Sequence, residues 1–113
     1  MKSLGARGEE IAAAYLMKKG YTLLHRNYRT PLGEADIVMR DGDTVVFVEV
    51  KTRRSDTFGQ PFESVHTGKQ ERLRRIALYF LKHHPREGPV RFDVVSILNE
   101  NGKPVINHIT EAF

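Results

Sequence analysis

Residues 33–53 read GEADIVMRDGDTVVFVEVKTR. Two apolar segments, 34–40 and 44–52, flank Asp41-Gly42, and Asp-Gly between alternating or β-branched runs is the strongest short-range signal for a β-hairpin. With Asp41 and Gly42 as the loop, Arg40 faces Asp43, and the expected cross-strand pairs are Val38 with Val45, Asp36 with Phe47 and Glu34 with Glu49. Side chains alternate with a period of two, so Glu34, Asp36, Glu49 and Lys51 share one face. Diagonal neighbours on a face sit roughly 7–8 Å apart, which lets Asp36 and Glu49 reach one ion between them.

The second strand carries VVFVEV, the most apolar run of the chain. Such a run belongs inside a sheet, where an unpaired carboxylate is costly to desolvate. The plain alternative is a salt bridge from Lys51 to one carboxylate. Two or three acids against one lysine nevertheless leave an excess of negative charge, which a hard divalent cation with oxygen ligands would neutralise.

The rest of the chain fits around this hairpin. Ser3 is placed to cap a helix that runs to about residue 19, with Lys18 and Lys19 complementing its C-terminal dipole and Gly20 ending it. Its apolar stripe is Leu4, Ile11 and Tyr15 with Gly8, Ala12 and Leu16 alongside; Glu9 lies at the stripe's edge and Glu10 points to solvent. Residues 21–28 (YTLLHRNY) read as a first strand, and 29–33 as a turn into the hairpin. Residues 53–67 show neither helical nor strand period, and a loop of that length is usually functional or mobile. It starts with Arg53 and Arg54 and holds Phe58 and Phe62, an arm suited to contacting a substrate.

Thr67-Gly68-Lys69-Gln70 fits a capping box that opens a second helix to about residue 83. Leu73, Ile76, Ala77, Phe80 and Leu81 form its buried stripe, with Lys69, Arg72 and Arg75 as a basic ladder beside it. His83 and His84 are adjacent on that helix, point about 100° apart and are poorly placed to share an ion. Residues 90–98 and 104–109 read as two strands of a second hairpin around Asn101-Gly102. Asp93 is expected to pair with an arginine rather than a metal.

At 113 residues the chain suits a single domain, 1–113, able to bury one core without a staple. The formal charge is +4. Residues 51–91 hold ten Lys and Arg against four acids, a clustered excess that favours a polyanionic partner such as nucleic acid. With no Cys, disulfides, thiol catalysis and thiolate zinc sites are excluded. MKSLGARGEE lacks an apolar targeting core and no apolar run approaches the roughly 20 residues of a membrane span, so a cytoplasmic protein without membrane partners is the expectation.

Asp36, twelve intervening residues and then Glu49-Val50-Lys51 resemble the D…(D/E)xK signature of the PD-(D/E)xK nuclease superfamily, with Ala35 where that signature carries Pro. Gly8-Glu9-x-x-Ala12, Gly20-Tyr21, Asn27-Tyr28-Arg29, Phe47 to Arg53, Phe58-Gly59 and Arg91-Phe92-Asp93-Val94 extend the likeness over nearly the whole chain. That set resembles the YraN-like family, which is itself similar to archaeal Holliday-junction resolvases. The resemblance implies a restriction-endonuclease-like α/β fold, a central mixed sheet flanked by helices in the order α-β-β-β-α-β-β. It implies a structure-selective endonuclease that uses Mg²⁺ or Mn²⁺ on branched or duplex DNA, as a homodimer. Asp36, Glu49 and the Val50 carbonyl would hold the metal, Glu9 would complete or support the site, and Glu34 is a weaker candidate. Lys51 would orient the attacking water or stabilise the phosphorane. Arg53, Arg54, Lys69, Arg72 and Arg75 would contact phosphates; Gln70 either completes its cap or stands near the scissile phosphate. The alternative is an inactive nucleic-acid-binding module with an ion pair in place of the metal.

Overall fold

The structure, a computed structural model, describes residues 4–54, 67–85, 87–100 and 103–113. The elements run α1 (Leu4–Lys18), β1 (Thr22–Thr30), β2 (Gly33–Asp41), β3 (Thr44–Arg54), α2 (Thr67–His83), β4 (Val90–Glu100) and β5 (Lys103–Ile109). The five strands form one sheet in the order β1-β2-β3-β4-β5. β3 and β4 are parallel and the other neighbours antiparallel, so the sheet is mixed, as expected. The arrangement is consistent with a restriction-endonuclease-like fold.

The apolar run of β3 makes sense because a helix covers each face. Val46 and Val48 pack with Ala12, Ala13 and Leu16 of α1, while Val45 and Phe47 pack with Leu73, Ile76, Ala77 and Phe80 of α2. A strand buried on both faces has no need of polar alternation. α1 lies so close to β3 that a Cβ on Gly8 would collide with Thr52 Cγ2. That close approach sets the depth at which the next residue, Glu9, enters the structure.

The hairpin differs from the sequence expectation in its register. Asp41 pairs with Thr44, and Ile37 with Val48, so the two loop residues are Gly42 and Asp43. Gly42 has a φ of +61°, and a left-handed glycine at the first loop position fits a two-residue type II′ hairpin. Asp41 thereby stays in the ladder, where its carboxylate accepts from Arg91 Nη1 at 3.0 Å. The loop still has an even number of residues, and the shift moves every partner by two. Continued one step past Ile37↔Val48, this register sets Asp36 directly opposite Glu49 rather than diagonal to it.

Other boundaries move by a few residues. β1 continues to Thr30, leaving Pro31 and Leu32 as the turn. Thr30 Oγ1 closes that turn, accepting from the Leu32 amide at 3.0 Å and donating to the Gly33 carbonyl at 2.9 Å. β3 extends through Arg53 and Arg54, which are therefore strand residues, not the start of a loop. The remainder of the expected arm, with Phe58 and Phe62, lies outside the described residues, as do Ser3 and the Asn101-Gly102 loop. His83 and His84 direct their Nδ1 atoms back to the carbonyls of Tyr79 and Phe80, each at 2.9 Å.

Candidate functional site

The β2–β3 ladder ends at Ile37↔Val48. Beyond it, a side chain takes the place of the partner strand: Asp36 Oδ2 accepts from the Val50 amide at 2.9 Å. The amide and carbonyl of one strand residue point to the same lateral side. The Val50 carbonyl is therefore turned toward β2 and Asp36 as well. One residue earlier, Glu49 is only 3% exposed. Its Oε1 accepts from Lys69 Nζ, and Lys51 Nζ stands 3.6 Å from the same oxygen. Lys69 reaches it from the first turn of α2, held over the sheet by Leu73 and Ile76.

α1 and β1 complete the surroundings. Glu9 Oε1 lies 3.8 Å from Arg26 Nη2. With its amide nitrogen facing the acids, Asn27 donates to Glu9 Oε1 at 2.9 Å and to Glu34 Oε1 at 3.0 Å. Asn27 has a φ of +52°, a left-handed conformation that asparagine tolerates better than most residues. Glu34, the most solvent-facing of the four acids, pairs with Arg29 at 3.4 Å.

The charges are unevenly compensated. Burial, and then the Glu49 charge, push the Asp36 carboxyl up to about 6, against the pull of the Val50 amide and Lys69. Burial also raises Glu9, aided by the charges of Glu34 and Glu49 and opposed by Arg26 and Asn27. Burial works to lower Lys69, but its hydrogen bond to Glu49 and the charges of Glu49 and Asp36 outweigh that and hold it above the ordinary lysine value.

The structure thus brings Asp36, Glu49, Val50 and Lys51 together as the sequence suggested, with Glu9 near enough for its charge to act on Asp36. Lys69 departs from its expected place: it leaves the outward basic ladder and binds Glu49. Arg72 and Arg75 remain exposed. Arg72 lies against Gly33, and Arg75 pairs with Glu71 at 3.3 Å. Gln70 and Arg53 are half-buried, as is Glu10, expected in solvent. Arg26, Asn27 and the inward role of Lys69 were missed. Asn27 belongs to the Asn27-Tyr28-Arg29 motif, but its contacts depend on a left-handed residue within a strand, which no periodicity announces. Among the described residues, no three His, Cys, Asp or Glu side chains form a metal-holding group.

A second buried acid sits on the other face of the sheet, on β4 beside Val48. Asp93 is fully buried and accepts from Arg91 at 2.8 and 2.9 Å, as the sequence suggested. It is also 2.7 Å from His108 Nε2 and accepts from the Glu111 amide at 3.2 Å.

Residues 8–97 match the model of "Uncharacterised protein family UPF0102". The chain belongs to the UPF0102 family. The match includes Glu9, Asp36, Glu49, Lys51, Lys69 and Asp93, and the likeness to the YraN-like family holds in this form. A UPF0102 protein of Syntrophomonas wolfei is 54% identical over 113 residues, covering 99% of this chain and 98% of the relative. Those of Thermodesulfovibrio yellowstonii and Geotalea uraniireducens are 47% and 48% identical, covering 97% and 99% of this chain and 95% and 90% of theirs. No helix among the described residues is long and apolar enough to cross a membrane.

Proposed function

We propose that this protein is a metal-dependent nucleic-acid endonuclease of the PD-(D/E)xK type, structure-selective and resolvase-like. The observation that carries the reading is the pairing of two carboxylates at the end of the hairpin: Asp36 Oδ2, held by the Val50 amide at 2.9 Å, beside the buried Glu49. Burial and the neighbouring Glu49 charge both disfavour the ionised form of Asp36, so a further positive charge beside the two carboxylates is favoured. Mg²⁺ usually keeps several waters and takes only one or two protein carboxylates together with substrate phosphates. Asp36, Glu49 and the Val50 carbonyl fit that modest requirement without a third acid. Their donors are all hard oxygens, which suits Mg²⁺ or Mn²⁺.

Asp36, Glu49 and the Val50 carbonyl would hold the ion, and the Val50 amide keeps the Asp36 carboxylate turned into place. The bound ion supplies a lowered water pKa and neutralises charge developing on the phosphate. Lys51, on the same face as Glu49, donates to the attacking water or to the phosphorane oxygens, a preorganised charge of the kind that stabilises transition states. Glu9 supports the site through its charge and through Asn27. Arg72 and Arg75 lie on the exposed side of α2, where phosphate contacts position a backbone without reading sequence.

The test is incubation with a four-way junction, a linear duplex and single strands, with Mg²⁺ or Mn²⁺ and with chelator. Wild type should cleave only with metal, and Asp36→Asn and Glu49→Gln should abolish cleavage while leaving DNA binding intact. Lys51→Ala should bind metal and DNA and lose on the order of 10²-fold in rate. Absence of any metal-dependent product, with no Mg²⁺ or Mn²⁺ bound in calorimetry, retires the nuclease reading.

The Lys69–Glu49 pair favours a second reading, a nucleic-acid-binding module in which the ammonium permanently replaces the metal. On that reading Asp36→Asn tightens DNA binding by removing charge repelled by phosphate, and Lys51→Ala destabilises the fold by depriving Glu49 of a neighbouring cation.

A further inference from the structure

Two ammonium groups address a single carboxylate oxygen. Glu49 Oε1 accepts from Lys69 Nζ and has Lys51 Nζ at 3.6 Å. Lys51 belongs to the same strand as Glu49, two residues on, and is fixed beside it by the alternation of β3. Lys69 comes from another element and spans the gap between α2 and β3. The Lys69 side chain is 32% exposed against 3% for Glu49, so Lys69 is the solvent-facing partner and the carboxylate lies behind it. Beside Lys69 on α2, Gly68, Arg72 and Arg75 line an open cleft of about 190 Å³ with Leu32 and Glu71. Lys69 thus has carboxylates on one side and the arginines of this cleft, suited to phosphate, beside it on α2.

We propose that Lys69 is a built-in counter-cation exchanged for the divalent ion, its ammonium passing from Glu49 to a phosphate of the bound nucleic acid. This rests on the metal-site reading above. In the free protein Lys69 neutralises Glu49 and competes with metal for the same oxygen. When a polyanion lies along α2, Lys69 has an alternative partner of the same sign as Glu49, and the carboxylates are released to the metal. Metal and nucleic acid therefore bind with positive coupling, and linkage makes the coupling reciprocal: metal tightens nucleic acid by the factor by which nucleic acid tightens metal. The device keeps the site from being loaded without a substrate.

The experiment is a titration of Mn²⁺ by calorimetry, without and with a short phosphorothioate duplex, on wild type, Lys69→Met, Lys69→Arg and Asp36→Asn. In wild type the duplex should tighten Mn²⁺ by about tenfold, within the usual range of coupling between sites. Lys69→Met should bind Mn²⁺ about tenfold tighter than wild type without the duplex, and most of the coupling should vanish. Lys69→Arg preserves the charge and strengthens the grip on Glu49 through a two-pronged guanidinium. It should therefore bind Mn²⁺ more weakly than wild type, and it serves as the folded comparator if Lys69→Met fails to fold. Equal Mn²⁺ affinity in wild type and the Lys69 variants, abolished in Asp36→Asn, overturns the exchange and leaves the metal site standing. Mn²⁺ bound by none of the four proteins overturns both.

Discussion

Asp36 and Asp93 are acids of one sheet, and their surroundings drive them in opposite directions. Burial pushes both up. At Asp93 the hydrogen bonds from His108 and Arg91, the Arg91 charge and the Glu111 amide outweigh burial and hold the carboxyl below its ordinary value. Arg91 is itself locked by Asp41 at 3.0 Å and Tyr21 Oη at 2.7 Å, while Lys19 reaches the other ring nitrogen of His108 at 3.0 Å. At Asp36 a single backbone amide and the lysine bound to Glu49 do not suffice, and the carboxyl rises to about 6. Asp93 is bonded directly by Arg91, His108 and the Glu111 amide, whereas the lysines of the second cluster meet Glu49 and leave burial to dominate at Asp36. A fully paired buried acid reads as architecture, and a buried acid held above its ordinary value as a candidate functional group.

The largest expected effect breaks the Asp93 cluster. Asp93→Ala leaves Arg91 and His108 facing an empty pocket and should cost about 3–5 kcal/mol of stability, the usual penalty for removing one partner of a buried pair. Urea unfolding measures it; a loss below about 1 kcal/mol would mean that Asp93 is no more structural than Asp36.

The next effect sharpens the contrast through pH. The folded value for Asp36, about 6, lies above its ordinary 3.8, so the folded state binds the extra proton between those limits. Stability should fall as pH rises from about 4 to about 6 and level off beyond, by at most about 3 kcal/mol. Asp36→Asn should remove that fall. Asp93 has the opposite sign: its lowered value contributes stability that is present above the ordinary carboxylate range and lost as pH falls below it. Unfolding midpoints for wild type and Asp36→Asn across this range decide the matter, and parallel curves would contradict the assignment.

The smallest effect concerns the cations of α2. Lys69 turns inward to the acids and Arg72 stays outside. Arg72→Ala should lower the slope of log K for duplex DNA against log salt by about 1 and leave sequence preference unchanged. An unchanged slope would separate the positive face from the acid cluster.

Much of this architecture was legible in the chain because its signals are local. The helical stripe from Leu73 to Leu81 and the presence of a two-residue hairpin loop at Gly42 each depend on neighbours a few residues apart. The pairing of Asp93 with an arginine was legible too, since Arg91 lies two positions away on the same face of β4. The hairpin register was not, because Asp41-Gly42 and Gly42-Asp43 are both plausible two-residue loops. Arg91, 50 residues further along the chain, holds Asp41 in the ladder.

The sequence by itself determined the order of elements, the burial of β3 on both faces and the presence of Asp36, Glu49 and Lys51 on adjoining strands. Each follows from period, from β-branched composition and from an even-numbered loop, which keeps parity whichever two residues turn. Only the tertiary structure decided which cation meets which acid. Lys69 reaches Glu49 across 20 positions, and Arg26 and Asn27 reach Glu9 across 17 and 18. Coulomb interactions depend on distance and burial rather than on chain separation. The upward push on Asp36, from burial and from Glu49, therefore comes into being only when α1, α2 and the sheet close around it.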